Sequence, residues 1–469
     1  MYLKDCYDTL FNPVSKDLKR PMSSFTYSQD QLKQCAHDVL RYARNKGATD
    51  AAVEISESVG LSVGVRRSKI ETIEQNKDKG IGVTVFIGQQ RGNASTSDFS
   101  AAALEATVEA AYNIARFTAA DDCAGLPDPD TLEMHPQELK LFYPWKLSSE
   151  EAIQIAQRCE QAAFDVDPQI RNSEGAGVNA HQSHFVAANS IGFMGGYASS
   201  RHSISVAPIA GRGAHMQRDH WYSSSRHPKK LAQPQAIGRY AAERALSRLH
   251  ARKLDTRKCP VLFEAPLAIG LVGALVQAVS GGALYRKSTF MLDTLGKTIF
   301  PSHIQLLEDP HIIGAAGSSP FDGEGVKTVK RDVVKNGVLQ GYFLSTYSAR
   351  KLGMKTTGNS GGSHNLSFES AHTRPRDNLA AMLKKMGTGL FVTELMGQGV
   401  NYITGDYSRG ASGFWVENGV IQYPVEEITI AGNLADMFLN IAAVGADTIV
   451  RGTKQTGSIL IESMTVAGN

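Results

Sequence analysis

The sequence predicts an α+β fold: N-terminal and central α/β-type units, then a C-terminal domain that is largely an antiparallel β-sheet or barrel with helices. Three observations point there. Capping-box patterns open amphipathic helices at Ser28 and Ser148, long period-2 runs fill the early chain, and two Asn-Gly dipeptides sit between strand-like segments near its end. The 469 residues, 42% apolar, suffice for several cores and divide as 26–122, 123–235 and 236–469. An extension over 1–25 mixes Lys4, Asp5, Lys16, Asp17, Lys19 and Arg20 with scattered apolar residues. It is expected to be disordered, or to precede a true start at Met22 rather than Met1, and it lacks the apolar run of a secretory signal.

Ser28-x-x-Gln31 starts the first helix, whose Leu32, Cys35, Ala36, Val39 and Ala43 share one face before Gly47. Alternation at Leu61, Val63, Val65 and at Ile81, Val83, Val85, Ile87 reads as half-buried strands. Leu104, Val108, Ala111 and Ala115 return to helical spacing. Asp121-Asp122, Pro127-Asp128-Pro129-Asp130 and Pro136 then break all periodicity between Ala120 and Pro144, which marks a boundary. Ser148-x-x-Glu151 caps a helix carrying Ala152, Ala156, Cys159 and Ala163. Strand-like sequence follows from Arg171 to Pro208, and a helix from Ala236 to Leu249 leads into the third unit.

Ala265 to Tyr285 carries no charge, yet Pro266 suits a helix start and Gly281-Gly282 a stop. That leaves roughly 15 helical residues where a membrane span needs about 20, so a buried core helix is expected. Asn336-Gly337 and Asn418-Gly419 are hairpin signals, because the tight turn needs positive φ at both central residues. Leu390 to Leu395, Ile428 to Ala431 and Ser458 to Ile461 add strands.

Net charge is +3, and the basic residues form no long run that could track a phosphate backbone, which argues against nucleic acid as a partner. The cysteines, Cys6, Cys35, Cys123, Cys159 and Cys259, are odd in number and form no Cys-x-x-Cys pair. That fits a reducing, cytoplasmic setting.

The chain has no His-Glu-x-x-His or His-Glu-x-x-x-His, no Gly-x-Ser-x-Gly elbow, no Walker A loop and no dinucleotide fingerprint in its structural context. His181, His184, His202, His215, His220 and His227 crowd the central unit, but in a strand the three-residue offset of His181 and His184 turns them to opposite faces. Ordinary polar histidines account for the crowding. A glycine-rich stretch runs from Thr393 through Gly397, Gln398, Gly399 and Asn401 to Thr404, Asp406, Ser408, Arg409 and Gly410. It reads either as a groove where an extended peptide pairs by its main chain, with Gln398, Asp406, Ser408 and Arg409 on the rim, or as a surface loop with turn glycines.

Three segments carry a family resemblance: Gly282-Ala283-Leu284-Tyr285-Arg286-Lys287-Ser288-Thr289-Phe290, Phe391-Val392-Thr393-Glu394-Leu395-Met396-Gly397-Gln398-Gly399-Val400 and Ile403-Thr404-Gly405-Asp406-Tyr407-Ser408-Arg409-Gly410. They resemble the PmbA/TldE proteins, once described as modulators of DNA gyrase. The likeness extends from about Ser28 to the C-terminus, with support from Ser345 to Gly353, Gly413 to Gly419 and Glu427 to Leu434.

The resemblance implies a cytosolic two-subunit metallopeptidase in which TldD and TldE enclose a cavity and TldD holds zinc. In TldD the ligands are the two histidines of a His-Glu-x-x-x-His helix and a late cysteine, with an Arg-Lys-x-Thr segment close behind the helix. Aligning Arg286, Lys287 and Thr289 with that segment puts Val276-Gln277-Ala278-Val279-Ser280-Gly281 at the motif, and no cysteine follows Cys259. Val276 and Gly281 cannot ligate, and Gln277 cannot act as a carboxylate base. The implied expectations are no catalytic residue and no metal in this chain, zinc in a TldD-type partner, and unfolded peptides or small unstable proteins such as antitoxins and bacteriocin precursors as substrates. The alternative is a non-proteolytic regulatory protein acting on gyrase.

Overall fold

The computed structural model describes residues 24–468, so the predicted extension lies outside the described residues except for Ser24 and Phe25. The N-terminal half contributes β1 (Asp50–Arg66), β2 (Lys69–Ile87), β3 (Gln90–Thr96), β4 (Ile170–Asn189), β5 (Met194–Gly195), β6 (Ala198–Ala210), β7 (Gln217–Arg218) and β8 (Trp221–Ser225). Its helices are α1 (Gln29–Lys46), α2 (Ala101–Phe117), α3 (Ser149–Phe164) and α4 (Pro234–Ser247).

The Ser28 capping box forms as predicted: its hydroxyl accepts from Gln31 N at 3.2 Å, and the Gln31 side chain accepts from Ser28 N at 2.8 Å. Ser148 and Glu151 repeat the device at α3. The strands build one antiparallel sheet in the order β3-β2-β1-β4-β6-β7, with β5 on β4 and β8 on β6. Strands from both sides of the 120–144 break therefore share a sheet, β1 pairing with β4 from Ala52↔Asn189 to Val65↔Ala176. Alternation buries Val53 and Ile55 under α1 and α2, and Leu61, Val63 and Val65 under α3 and α4. The other face, carrying Glu54, Ser56, Ser58 and Ser62 on β1, is covered by none of α1 to α4 among the described residues. The Ala236–Leu249 helix, assigned to the third unit on sequence, packs on α3 and β6 through Ile237 and Ala241.

The C-terminal half contributes β9 (Arg257–Phe263), β10 (Ile304–Asp309), β11 (Arg331–Lys335), β12 (Val338–Leu339), β13 (Asn365–Ser370), β14 (Gly389–Met396), β15 (Asp406–Glu417), β16 (Val420–Asn433), β17 (Ile441–Val444), β18 (Ile449–Arg451), β19 (Lys454–Thr456) and β20 (Ile459–Ala467). Its helices are α5 (Ala265–Ala278), α6 (Gly281–Tyr285), α7 (Thr346–Lys351), α8 (Leu379–Met386) and α9 (Leu434–Leu439). Strands β16-β15-β14-β9-β20 close into a barrel through a β16–β20 pairing, with β17 added to β20. A second sheet runs β12-β11-β10-β13-β19-β18. Both predicted hairpins are present: φ is 51° and 76° at Asn336 and Gly337, and again at Asn418 and Gly419. The central core gathers Val261, Phe263, Leu275, Phe300, Leu306 and Ile430.

One expectation is corrected. Gly281-Gly282 does not simply stop the apolar helix but opens a second one. α5 ends at Ala278, Ser280 caps α6 by accepting from Ala283 N at 3.4 Å, and Gly281 N donates to Phe343 O at 2.8 Å. Among the described residues no helix is long and apolar enough to cross a membrane.

Candidate functional site

The glycine-rich stretch joins β14 to β15 and folds back on itself. Ser408 N donates to Gly399 O at 2.7 Å, and Asn401 N donates to Asp406 O at 2.8 Å. A side chain on Gly399 would overlap the Ser408 carbonyl, so this glycine serves a close backbone approach. The main-chain groups that an added peptide would use at Asp406 and Ser408 are thus taken by the loop itself.

Gln398, Asp406 and Ser408 are exposed, and the Asp406 carboxylate accepts from Thr404 Oγ1 at 2.6 Å and Asn433 Nδ2 at 3.4 Å. Arg409 parts from them. The pleat turns it to the Tyr407 face, where its Nε is buried with no hydrogen-bond partner among the described residues. Burial pushes the Tyr407 hydroxyl up to about 12 against the pull of the Arg409 charge.

At the aligned zinc-motif positions, Val276 packs against the central core, Gln277 is exposed, and Gly281 lies beyond the end of α5. A Cβ on Gly281 would overlap the Ser348 side chain, so any larger residue there forces its neighbours to shift. These residues do not fit a zinc ion: two offer no donor atom, and the helix needed to set one donor a turn above another is broken between them. The neighbouring Thr289 is structural, its hydroxyl donating to Ala278 O at 2.7 Å and accepting from Met291 N at 3.1 Å, which ties off α5.

A cavity of about 620 Å³ lies where the helix-free face of the first sheet meets the C-terminal half. Ala52, Glu54, Gly82, Ala187, Glu324 and Tyr347 line it. A strap from the 120–144 segment borders it: Asp121 accepts from Tyr347 OH at 2.7 Å, Lys351 Nζ at 2.8 Å and Cys123 N at 3.0 Å. Lys351, then Tyr347, hold the Asp121 carboxyl down at about 2. Arg350 fastens the strap further along, at Leu126 O and Asp128, both 2.8 Å. Asp121, Asp122 and Cys123 are the one trio of potential metal ligands grouped closely among the described residues, but Asp121 is already bound by Lys351 and Tyr347.

A second cavity of about 280 Å³ is lined by Glu54, Tyr197, Asp322, Ser360 and His364. Burial drives the Asp322 carboxyl up to about 6 although Ser360, Glu324 and Val326 amides donate to it. His364 Nδ1 meets buried Glu308 at 3.0 Å, and Glu308 also accepts from Arg331 Nε at 2.8 Å. The sequence search missed these residues. Ser345 to Gly353 stood out only as a family segment, and nothing local ties Tyr347 to Asp121.

His181 and His184 turn to opposite faces, as the strand period implied. His184 is buried against Glu57 at 3.3 Å, while His181 faces the other way and is exposed. His202 meets Tyr143 O at 2.9 Å, His227 accepts from Lys229 N at 3.1 Å, and His215 and His220 are exposed.

A two-part architecture of helix-backed sheet and closed barrel defines a three-domain metallopeptidase-type fold: models described as PmbA/TldA metallopeptidase domain 1, central domain and C-terminal domain match residues 51–115, 142–249 and 256–468. The chain belongs to the PmbA/TldA metallopeptidase family. It is 48% identical to the Escherichia coli O157:H7 protein named metalloprotease PmbA, over 93% of this chain and 96% of that one. A crystal structure from Bacteroides thetaiotaomicron, described as a modulator of DNA gyrase, superposes with a TM-score of 0.88 at 27% identity, covering 94% of this chain and all of its own. TldE from Thermococcus kodakarensis shares the fold, with a TM-score of 0.80 at 19% identity over 92% of this chain and 100% of that one.

Proposed function

We propose that this chain is the subunit without zinc in a cytoplasmic TldD/TldE-type metallopeptidase, pairing with a TldD-type partner that carries the metal. The complex degrades or processes unfolded peptides and small unstable proteins such as antitoxins and bacteriocin precursors. The observation that carries this reading is the α5–α6 region. By the family resemblance, Val276, Gln277 and Gly281 fall where a zinc subunit needs two histidines and a carboxylate, and a side chain at Gly281 would overlap Ser348. With neither metal-bound water nor base, this chain supplies walls to a shared chamber rather than the reacting groups. The helix-free sheet face and the cavity beside it suit an extended chain better than a folded domain.

The test is hydrolysis of an unstructured peptide by this chain, by a partner bearing His-Glu-x-x-x-His, and by the two mixed. The reading requires a stable complex and cleavage in the mixture. A partner equally active with and without this chain would contradict it. The other reading, a non-proteolytic regulator of gyrase, rests on the names of two structural neighbours. It requires gyrase binding and no effect on peptide cleavage.

A further inference from the structure

Where the helix-free sheet face meets the β18–β19 hairpin, three arginines surround a small cavity of about 110 Å³. Arg201 comes from β6, Arg226 follows β8, and Arg451 ends β18; Tyr222 and Ser224 complete the wall. Arg226 is half-buried and spends its donors on carbonyls, Nε to Ala315 O at 2.9 Å, one amino group to Ala316 O at 2.8 Å and the other to Ser200 O at 3.4 Å. Arg451, also half-buried, donates to Tyr222 O at 3.0 Å and lies over the Tyr222 and Trp221 rings at 3.8 and 4.5 Å. Arg201 is exposed and donates Nε to Ser224 Oγ at 3.3 Å.

Each guanidinium has five N–H donors, so all three keep some to spare. Among the described residues, no carboxylate forms an ion pair with any of them. Carbonyls and rings orient a guanidinium but do not neutralise it, and partial burial of an unpaired charge is costly. Burial lowers the pKa of Arg226 and of Arg451 below that of an ordinary arginine, and the Arg201 charge adds to this for Arg226. The same molecule does pair arginines where it needs only a clamp: Arg244 and Arg248, at the end of α4, meet Asp219, Glu264 and Glu394. Glu264 is the carboxylate whose field reaches Arg451, and Arg244 already holds it at 2.5 Å.

We infer that the Arg201–Arg226–Arg451 pocket binds a tetrahedral oxyanion, either inorganic phosphate or the phosphoryl group of a phosphomonoester. The three guanidinium groups line the cavity from separate chain segments rather than as one coplanar fork, which matches a tetrahedral group better than a carboxylate. The two chain halves both contribute, so an anion seated there also braces the seam. This site is independent of the peptidase reading.

The test is calorimetric titration of the full chain, at constant ionic strength, with inorganic phosphate, phosphoserine and acetate. Phosphate or phosphoserine should bind saturably and acetate should not. Arg201→Gln, whose side chain makes only the Ser224 hydrogen bond, should weaken binding by about tenfold or more. Arg451→Gln, checked for folding by circular dichroism, should do the same. Tighter binding of phosphoserine identifies a phosphomonoester, and binding of phosphate alone identifies the free ion. No saturable binding, equal binding of acetate, or unchanged binding by Arg201→Gln would overturn the assignment.

Discussion

Two of the seams between the first sheet and the C-terminal half are built from opposite materials. On one, Asp219, Arg244, Glu264, Arg248 and Glu394 form a packed ionic network, with the Arg244 and Glu264 side chains only 13% and 11% exposed. On the other, Ala52, Gly82, Ala187, Ala188 and Gly323 line a cavity of about 620 Å³, bordered by the strap that Asp121 ties to Tyr347 and Lys351. There the ion-paired side chains are 32% and 29% exposed. Matched charges lock the halves at one place, and small residues hold space open at the other. Stability and cavity are thus assigned to different seams, and mutations should separate them.

The largest effect is expected at the locked seam. Glu264→Ala leaves Arg244 buried with half its counter-charge and should cost about 3–5 kcal/mol, read from urea denaturation. A cost below about 1 kcal/mol, the value of an exposed pair, would dissolve the contrast between the seams.

Packing at the α5–α6 break comes next. Gly281→His should lose about 1–3 kcal/mol from overlap with Ser348 without gaining a metal. Zinc retention by that variant would show that the break can re-form a helix.

Glu57 tests the helix-backed side of the sheet. It is 1% exposed and accepts from Thr26 N and Oγ1, both at 2.6 Å, and from Tyr27 N at 3.1 Å. Burial alone would raise this carboxyl, but Thr26, Tyr27 and His184 hold it at about 2, below the ordinary 4.5. Its contribution is therefore complete above about pH 4.5 and is lost as pH falls toward 2. Glu57→Gln should cost about 1–3 kcal/mol at pH 7 and flatten the acid limb of the stability profile.

The smallest effect belongs to the open seam. Asp121→Asn should leave the denaturation midpoint within error while speeding proteolytic nicking between residues 119 and 128, because the pair it breaks holds a strap and not a core. A large midpoint shift would mean that the strap carries global stability.

Much of the fold was legible where the cause is local. The Ser28 and Ser148 capping boxes and both Asn-Gly turns need only a few neighbouring residues, and each appears where the sequence put it. Features made by distant partners were not. Tyr347 binds Asp121 across 226 positions, and the helix break at Val279–Ser280 is held by the distant Phe343 carbonyl. The placement of α4 follows from alanines fitted against α3, which periodicity alone cannot assign to a neighbour. The orientation of the rim residues was readable in part. The alternation rule that separated His181 from His184 also turns Arg409 away from Asp406 and Ser408.

The central claim, a peptidase subunit that lacks its own metal, is tested most directly by the zinc content of the full chain purified without a partner. It should hold far less than one equivalent of zinc after dialysis and should leave an unstructured peptide intact. One tightly held equivalent, with cleavage abolished by a chelator and restored by zinc, would contradict it.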